Sequence, residues 1–512
     1  MKSYKKKMEL DIKFIVIFIS SGIWALLAHG MVLFNKYSFH DDIGALNSVG
    51  ATYSSGRWML GILDRVVKFI TGSNHYSLPL TNGIITILCI GIVVYIISTK
   101  LKIESLILNI LLCGVFISFP TITSIFGYMF TAPYYYFGML LGVLGAYLFD
   151  KNRNIVTALI CTILMACSVG VYQANIPICI STLLLFMIVN VSEFSSEWKI
   201  FWKETCVNIG ICIGFIVEYF VINKVLLHIM GESLTNYKGI NNFGKTGIIG
   251  YIKRICRVYK EFLWPTQGVS ENMYPFSAKK IYVLFVILMI IVVMIGLVKV
   301  FRINKNKTLQ YMCLFLFYPL AAYFVYFMVD FSEVHSLMTY GEVYIFALAI
   351  WIIDNIENKN KIQICLNRIV TVAIAILIFF NIRLSNICYL KAEFIQARAI
   401  SYFTTLSTRI QSMDGYSDEI PVVYINEFNK EDDNLYGTDN FFHDISLIPY
   451  SYDSLINEGK WKIFMERWCG FSPTIGDSTI YDGNIEVKQM PCYPDDGSIK
   501  VIDGQIVVKF AD

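Results

Sequence analysis

The chain has 512 residues, enough for three or four soluble domains at about 150 residues each. Composition excludes that reading: 56% of residues are hydrophobic and only 16% are charged, against about 25% charged in a soluble protein. The formal net charge of +3 excludes a generic nucleic-acid binder. That near-neutral total hides an asymmetry. From Glu393 onward there are 20 acidic and 9 basic residues, and the preceding residues carry 19 acidic and 33 basic. The chain reads as a basic membrane body, residues 1–392, followed by an acidic domain, residues 393–512.

A membrane helix needs about 20 mostly apolar residues. The first such run, Ile12–Phe34, follows Lys2, Lys5, Lys6 and Lys7. It is too long for a signal-peptide core and is read as retained. Further runs stand at 79–98, 105–119, 132–149, 155–170, 174–191, 205–230, 280–299, 309–329, 337–353 and 363–381. The pattern predicts an α-helical polytopic membrane protein of about eleven transmembrane helices.

Lys and Arg placement gives the orientation, because short basic loops stay in the cytoplasm. Lys100/Lys102, Lys151/Arg153, Lys199/Lys203, Lys299–Lys307 and Lys359/Lys361 alternate to the inside, together with the N-terminus. The outside then holds 35–78, 231–279 and the tail. Segment 231–279 breaks the rule with Lys253, Arg254, Arg257 and Lys260. The tail reads as a small α+β domain: an amphipathic helix over Arg398–Met413, strands at Pro421–Ile425, Ile485–Met490 and Gln505–Phe510, and Asp-Gly turns between them. Of the 13 cysteines, only Cys469 and Cys492 fall in this outside domain, where a disulfide is permissible.

The first outside segment carries the most chemistry. His40-Asp41-Asp42-Ile43-Gly44 comes a few residues after the first span, and Gly56-Arg57-Trp58 follows about 15 residues later. Paired acids near the outer interface suit general-base work on a hydroxyl, since a like charge and partial burial raise one pKa. They equally suit a divalent cation, which takes oxygen ligands, or a helix N-cap at Asp42. Segments 35–78 and 231–279 both read as holding interfacial helices. Arg57 can fork onto a phosphate, with Trp58 beside it at headgroup level, or both can anchor the chain at the interface. In 251–260, cations at spacings of three and four make an amphipathic basic helix. Lys253, Arg254 and Arg257 there could hold a lipid phosphate or simply contact headgroups. His335 lies in the short loop 330–336, as a phosphate ligand or part of a solvated turn. Glu218 is an intramembrane carboxylate, functional by default unless it pairs with a neighbouring helix. Tyr172-Gln173 could line a sugar site or cap helix ends.

A single first helix, an outside Asp-Asp, a following Gly-Arg-Trp and a later Tyr-Gln pair after Ser168-Val169-Gly170-Val171 resemble the bacterial GtrII membrane glucosyltransferases. Those are similar to the GT-C class of integral-membrane glycosyltransferases. The resemblance covers roughly residues 10–380. It implies a polyprenyl-phosphate-linked sugar donor, an acceptor glycan outside a bacterial cell membrane, and an acid of the first outside loop, Asp41 or Asp42, as base. No cofactor is implied with certainty, although a divalent cation is compatible with the acids. The rival class is a flippase or exporter of lipid-linked glycans. Scarce charge inside the spans and the lack of an evident internal repeat count against it.

Overall fold

A computed structural model describes the chain except residues 1, 194–195, 236–246, 265–275, 330–333, 356–360, 427–441, 443–444, 446, 448, 451–455 and 457–458. It forms two compact units. The first comprises Met1–Lys36 and Ala45–Asn386; the second comprises Tyr37–Gly44 and Ile387–Asp512.

The first unit is helical. α1 (Lys2–Phe34) packs against α4 (Pro79–Lys100) and α5 (Leu106–Ser118); α7 (Ala132–Asn152) packs against α4, α8 (Ile155–Val171) and α9 (Ile176–Val191); α10 (Trp198–Met230) packs against α8. Local signals set the ends. Pro79 opens α4 at a position where no N–H is needed. Asn154 and Thr157 close a reciprocal capping box on α8. Gly231 ends α10 in the left-handed region, at φ 67°. At Phe119-Pro120 the chain breaks, and α6 (Pro120–Phe126) leaves α5 at 43°.

Among the described residues, seven helices are long and apolar enough to cross a membrane, or eight if α5 and α6 form one bent span. Helices do stand at all eleven predicted positions. The count of eleven spans is not sustained by length, because α8 has 17 residues and the helix Tyr344–Asn355 only 12. At about 1.5 Å per residue the latter is shorter than a bilayer's hydrocarbon core of about 30 Å. Outward-facing apolar residues of α10, such as Ile213, Val217 and Val221, are more than half exposed, as suits a lipid-facing surface.

Polar groups tie one end of this bundle together. Asp150 at the end of α7 pairs with Lys100 from α4 and with Arg153, which also bridges to Glu204 of α10. Asn190 of α9 accepts from Lys100 and donates to Asp150. The basic ends of α4 and α7 and the start of α10, read as lying on one side, thus meet at one network.

The second unit contains the C-terminal part of the helix Lys361–Gln411 and a three-stranded sheet. β1 (Val422–Ile425) runs parallel to β3 (Gln505–Lys509), which pairs antiparallel with β2 (Ile499–Ile502). The β2–β3 turn is Asp503-Gly504, both at positive φ (49° and 74°), the two-residue geometry that matches strand twist. Val423, Val487, Met490, Ile502 and Val507 form a core beneath the sheet. The predicted strand at Ile485–Met490 is instead a short helix, Ile485–Gln489: Asn484 accepts from the Glu486 and Val487 N–H groups and nucleates the turn. No disulfide joins Cys469 and Cys492.

Candidate active site

α1 ends at Phe34, and three residues later the chain enters the second unit. There Asp41–Gly44 forms one helical turn, α2. Asp41 is exposed and Asp42 is fully buried. The Ser38 hydroxyl donates to Asp42 Oδ2 at 2.5 Å. The Asp42 amide is spent on the Phe39 carbonyl, and His40 enters the turn at φ 48°. Arg467, from the helix Trp461–Cys469, donates to the Ile43 carbonyl. Tyr37 hydrogen-bonds Glu393, and burial together with that carboxylate pushes its phenol up to about 12. The Asp-Asp turn is thus fixed on both sides of its sequence, and it divides two adjacent acids into one buried and one accessible.

In the first unit the chain re-enters at Ala45 and reaches the 3-10 turn Tyr53–Ser55 and α3 (Trp58–Thr71). Gly56, at φ 75°, sits where a Cβ would lie 2.7 Å from the Tyr219 hydroxyl and 2.8 Å from Gln173 Nε2. Only glycine admits that approach. Gln173 Nε2 donates to the Ser55 carbonyl at 2.7 Å and lies 3.2 Å from the Tyr219 hydroxyl, which donates to the Gly56 carbonyl at 3.0 Å. Tyr172 breaks the α8–α9 run in extended geometry. Its ring stacks on Tyr135 at 4.1 Å with 4° between planes. The Arg57 guanidinium lies 5.4 Å from the Tyr172 ring centre and 5.9 Å from that of Tyr135. Arg57, Tyr172 and Gln173, singled out separately in sequence, therefore converge. They do so at the end of α7 away from Asp150, about 15 residues or ~22 Å along the helix.

Trp58 is placed differently from its sequence reading as an interfacial or substrate-facing ring. It is 3% exposed and packs on Gly170, where a Cβ would come within 2.4 Å of the indole. The basic helix is real: α11 (Ile248–Leu263) is amphipathic, with Lys253 exposed and Arg254 and Arg257 half-buried. Arg254 Nη1, however, donates to the Tyr326 and Val329 carbonyls, both at 2.9 Å, so it bolts α11 to the later segment Val325–Val329. Glu218 accepts from the Thr162 hydroxyl of α8 at 2.8 Å, the neighbouring-helix pairing weighed in the sequence. His335 is half-buried and leads into the 3-10 turn Ser336–Met338, while residues 330–333 lie outside the described residues. No group of three metal-ligating side chains is present among the described residues.

Sequence reasoning missed several groups. Ser38 carries no signal except its distance from Asp42. Tyr135 and Tyr136 lie in a Tyr-Tyr-Tyr run inside an apolar helix, a clustering of hydroxyl-bearing rings that could have flagged a carbohydrate surface. Glu261 and Glu342, both nearly fully buried and within electrostatic reach of each other, sit 81 residues apart in the chain.

The family model of glucosyl transferase GtrII matches residues 30–346, and the chain belongs to that family of membrane glucosyltransferases. No curated protein and no solved structure matches the chain. The matched stretch contains every residue singled out above for catalysis or substrate binding, from Asp41 to His335.

Proposed function

We propose that the protein transfers glucose from a polyprenyl phosphate to a hydroxyl of an envelope glycan, such as O-antigen, at the outer face of a bacterial cell membrane. In this reading the N-terminus is cytoplasmic and the acidic domain 393–512 is outside. The observation that carries the proposal is the division of the two acids after the first span: Asp42 buried and held by Ser38, Asp41 exposed beside it. A base must come within hydrogen-bond reach of the proton it removes. Asp41 is therefore the base, and Asp42 positions the turn.

The acceptor hydroxyl gives its proton to the Asp41 carboxylate as its oxygen bonds to the anomeric carbon. The bond from that carbon to the phosphate oxygen breaks, and the lipid phosphate leaves with the electron pair. Arg57, with its planar fork, and the exposed Lys253 are the cations suited to the leaving phosphate. Arg257 and His335 are secondary choices. Nothing in this displacement demands a nucleotide. Membrane lipid, donor and acceptor glycan are the partners required, and a divalent cation, if used, would act through the carboxylates.

The test is transfer from synthetic polyprenyl-phosphate glucose to an oligosaccharide acceptor in proteoliposomes, with EDTA and with added Mg²⁺ or Mn²⁺. Glucosylated product that depends on Asp41 supports the reading. Movement of intact lipid-linked glycan across the bilayer without glycosidic bond formation would replace it with the exporter reading.

A further inference from the structure

Beside Arg57, the first unit contains a narrow slot lined by Tyr135, Tyr136, Tyr172, Asn175 and Tyr340, among others. Its walls are aromatic: Tyr135 stacks on Tyr172, and Tyr136 meets Tyr340 edge-on at 5.2 Å. Three of the lining polar groups are already engaged or accounted for. The Tyr340 hydroxyl donates to the Phe116 carbonyl at 2.6 Å, and Asn175 Nδ2 donates to the Ser168 carbonyl at 3.0 Å. Tyr172 stands under the Arg57 cation. Tyr136 differs from these: its residue is 3% exposed and its hydroxyl has no hydrogen-bond partner among the described residues. That oxygen lies within electrostatic reach of both Tyr172 and Tyr340. A buried hydroxyl without a partner carries a desolvation cost, and a group of this kind inside a slot is commonly satisfied by what enters it.

We infer that this slot receives the hydroxymethyl arm of the donor hexose, with the Tyr136 hydroxyl hydrogen-bonded to its terminal oxygen. The inference rests on the transfer reaction proposed above and names the sugar feature which that reaction selects. The chemistry fits in two ways. In a glycosyl phosphate, the phosphate-bearing carbon and the carbon bearing the hydroxymethyl arm both flank the ring oxygen. A slot next to a phosphate-holding guanidinium is therefore where that arm falls. The slot is also narrow, suited to a single CH₂OH substituent rather than to a whole ring, and its aromatic walls suit the CH₂ while one hydroxyl meets the OH. Tyr136 thus determines specificity for a hexose over a pentose. A site built to hydrogen-bond a substrate hydroxyl rejects the analogue lacking it far more strongly than a merely apolar pocket does.

The experiment compares polyprenyl-phosphate glucose with polyprenyl-phosphate xylose, which lacks the hydroxymethyl arm, using full-length protein in proteoliposomes. Wild type should prefer the glucosyl donor in kcat/KM by about 10³-fold or more. Tyr136→Phe should narrow that preference by roughly 10–100-fold, mainly through loss on glucose. Tyr318→Phe removes another buried hydroxyl without a partner among the described residues, one outside the slot, and should leave the preference unchanged. Because the Tyr136 hydroxyl has no partner among the described residues, Tyr136→Phe should keep the wild-type melting temperature or raise it slightly. An unchanged glucose-to-xylose ratio in Tyr136→Phe, equal narrowing in Tyr318→Phe, or a lowered melting temperature in Tyr136→Phe would each overturn the inference while leaving the transfer reaction standing. A wild-type protein that transfers neither sugar would overturn the transfer reaction, and the slot's role with it.

Discussion

Ser38 donates its hydroxyl to the buried carboxylate of Asp42 at 2.5 Å, and Asp41, one residue earlier, is exposed. The accessible acid and the hydroxyl that holds the buried one should therefore fail in different ways when substituted. Asp41→Asn should lower turnover by roughly 10²–10⁴-fold, the usual scale for loss of a general base, with the melting temperature unchanged. Ser38→Ala removes a hydrogen bond to a charged group and should cost about 1.5–3 kcal/mol of stability. Transfer assays and thermal unfolding of the purified variants separate these effects. Normal turnover in Asp41→Asn would take the base away from that residue.

Arg57 lies over two tyrosine rings, which hold a planar cation better than a point charge. Arg57→Lys keeps the charge but loses the fork. The apparent KM for lipid donor should rise about tenfold, with a smaller change in melting temperature. An unaltered donor dependence would make Arg57 a packing residue.

Gly170→Ala would push a methyl into the Trp58 indole, 2.4 Å away. Overpacking of this kind should cost about 1–3 kcal/mol. Thermal unfolding reads it directly. A silent Gly170→Ala would mean that Trp58 swings out of its buried position.

On α11, neighbouring cations should separate. Arg254→Ala abandons the Tyr326 and Val329 carbonyls and should destabilise the first unit by about 1.5–3 kcal/mol in any bilayer. Lys253→Ala, at an exposed site, should alter only donor dependence or binding to anionic lipid, by about 1 kcal/mol. Stability measured in neutral and anionic proteoliposomes gives the contrast. Equal, lipid-dependent losses at both positions would show that Arg254 faces headgroups.

Cys469 is a free thiol whose pKa is raised by burial, with the Thr404 hydroxyl opposing the shift. A raised thiol pKa leaves less thiolate at any fixed pH below it. Alkylation at pH 8 should therefore be slower than for an ordinary exposed cysteine, and should climb nearly tenfold per pH unit toward the raised pKa. With the other cysteines replaced by serine, an impermeant maleimide applied to intact cells also reports the side of the membrane. Fast labelling at pH 7 would contradict the burial. Labelling that requires permeabilised cells would reverse the proposed orientation.

The apolar runs were legible because a span advertises itself over some twenty residues: Ile12–Phe34 lies within the helix Lys2–Phe34 and ends where it ends. The Tyr172 break was legible for the same reason, as polar residues interrupting such a run. Ile485–Met490 misled because six residues of Ile-Glu-Val-Lys-Gln-Met alternate like a strand, while the Asn484 side chain selects a helical turn. The site itself was half legible. Asp41, Asp42 and Arg57 stand out as charges beside oil, whereas Tyr136 differs from its neighbours only in what its hydroxyl fails to touch. The Arg467 contact to the Ile43 carbonyl joins positions 424 residues apart, and no local pattern encodes it.

The turn that carries Asp41 and Asp42 belongs to the same compact unit as residues 387–512, although its sequence neighbours on both sides belong to the other. The tail is therefore no detachable passenger. A truncation before Ile387 would retain every position in the family match, which ends at residue 346, yet strip the two acids of the residues they fold against. For the same reason, a chimera that borrows residues 387–512 from a relative must also transplant the eight residues Tyr37–Gly44, or the foreign unit will arrive without the turn that folds with it.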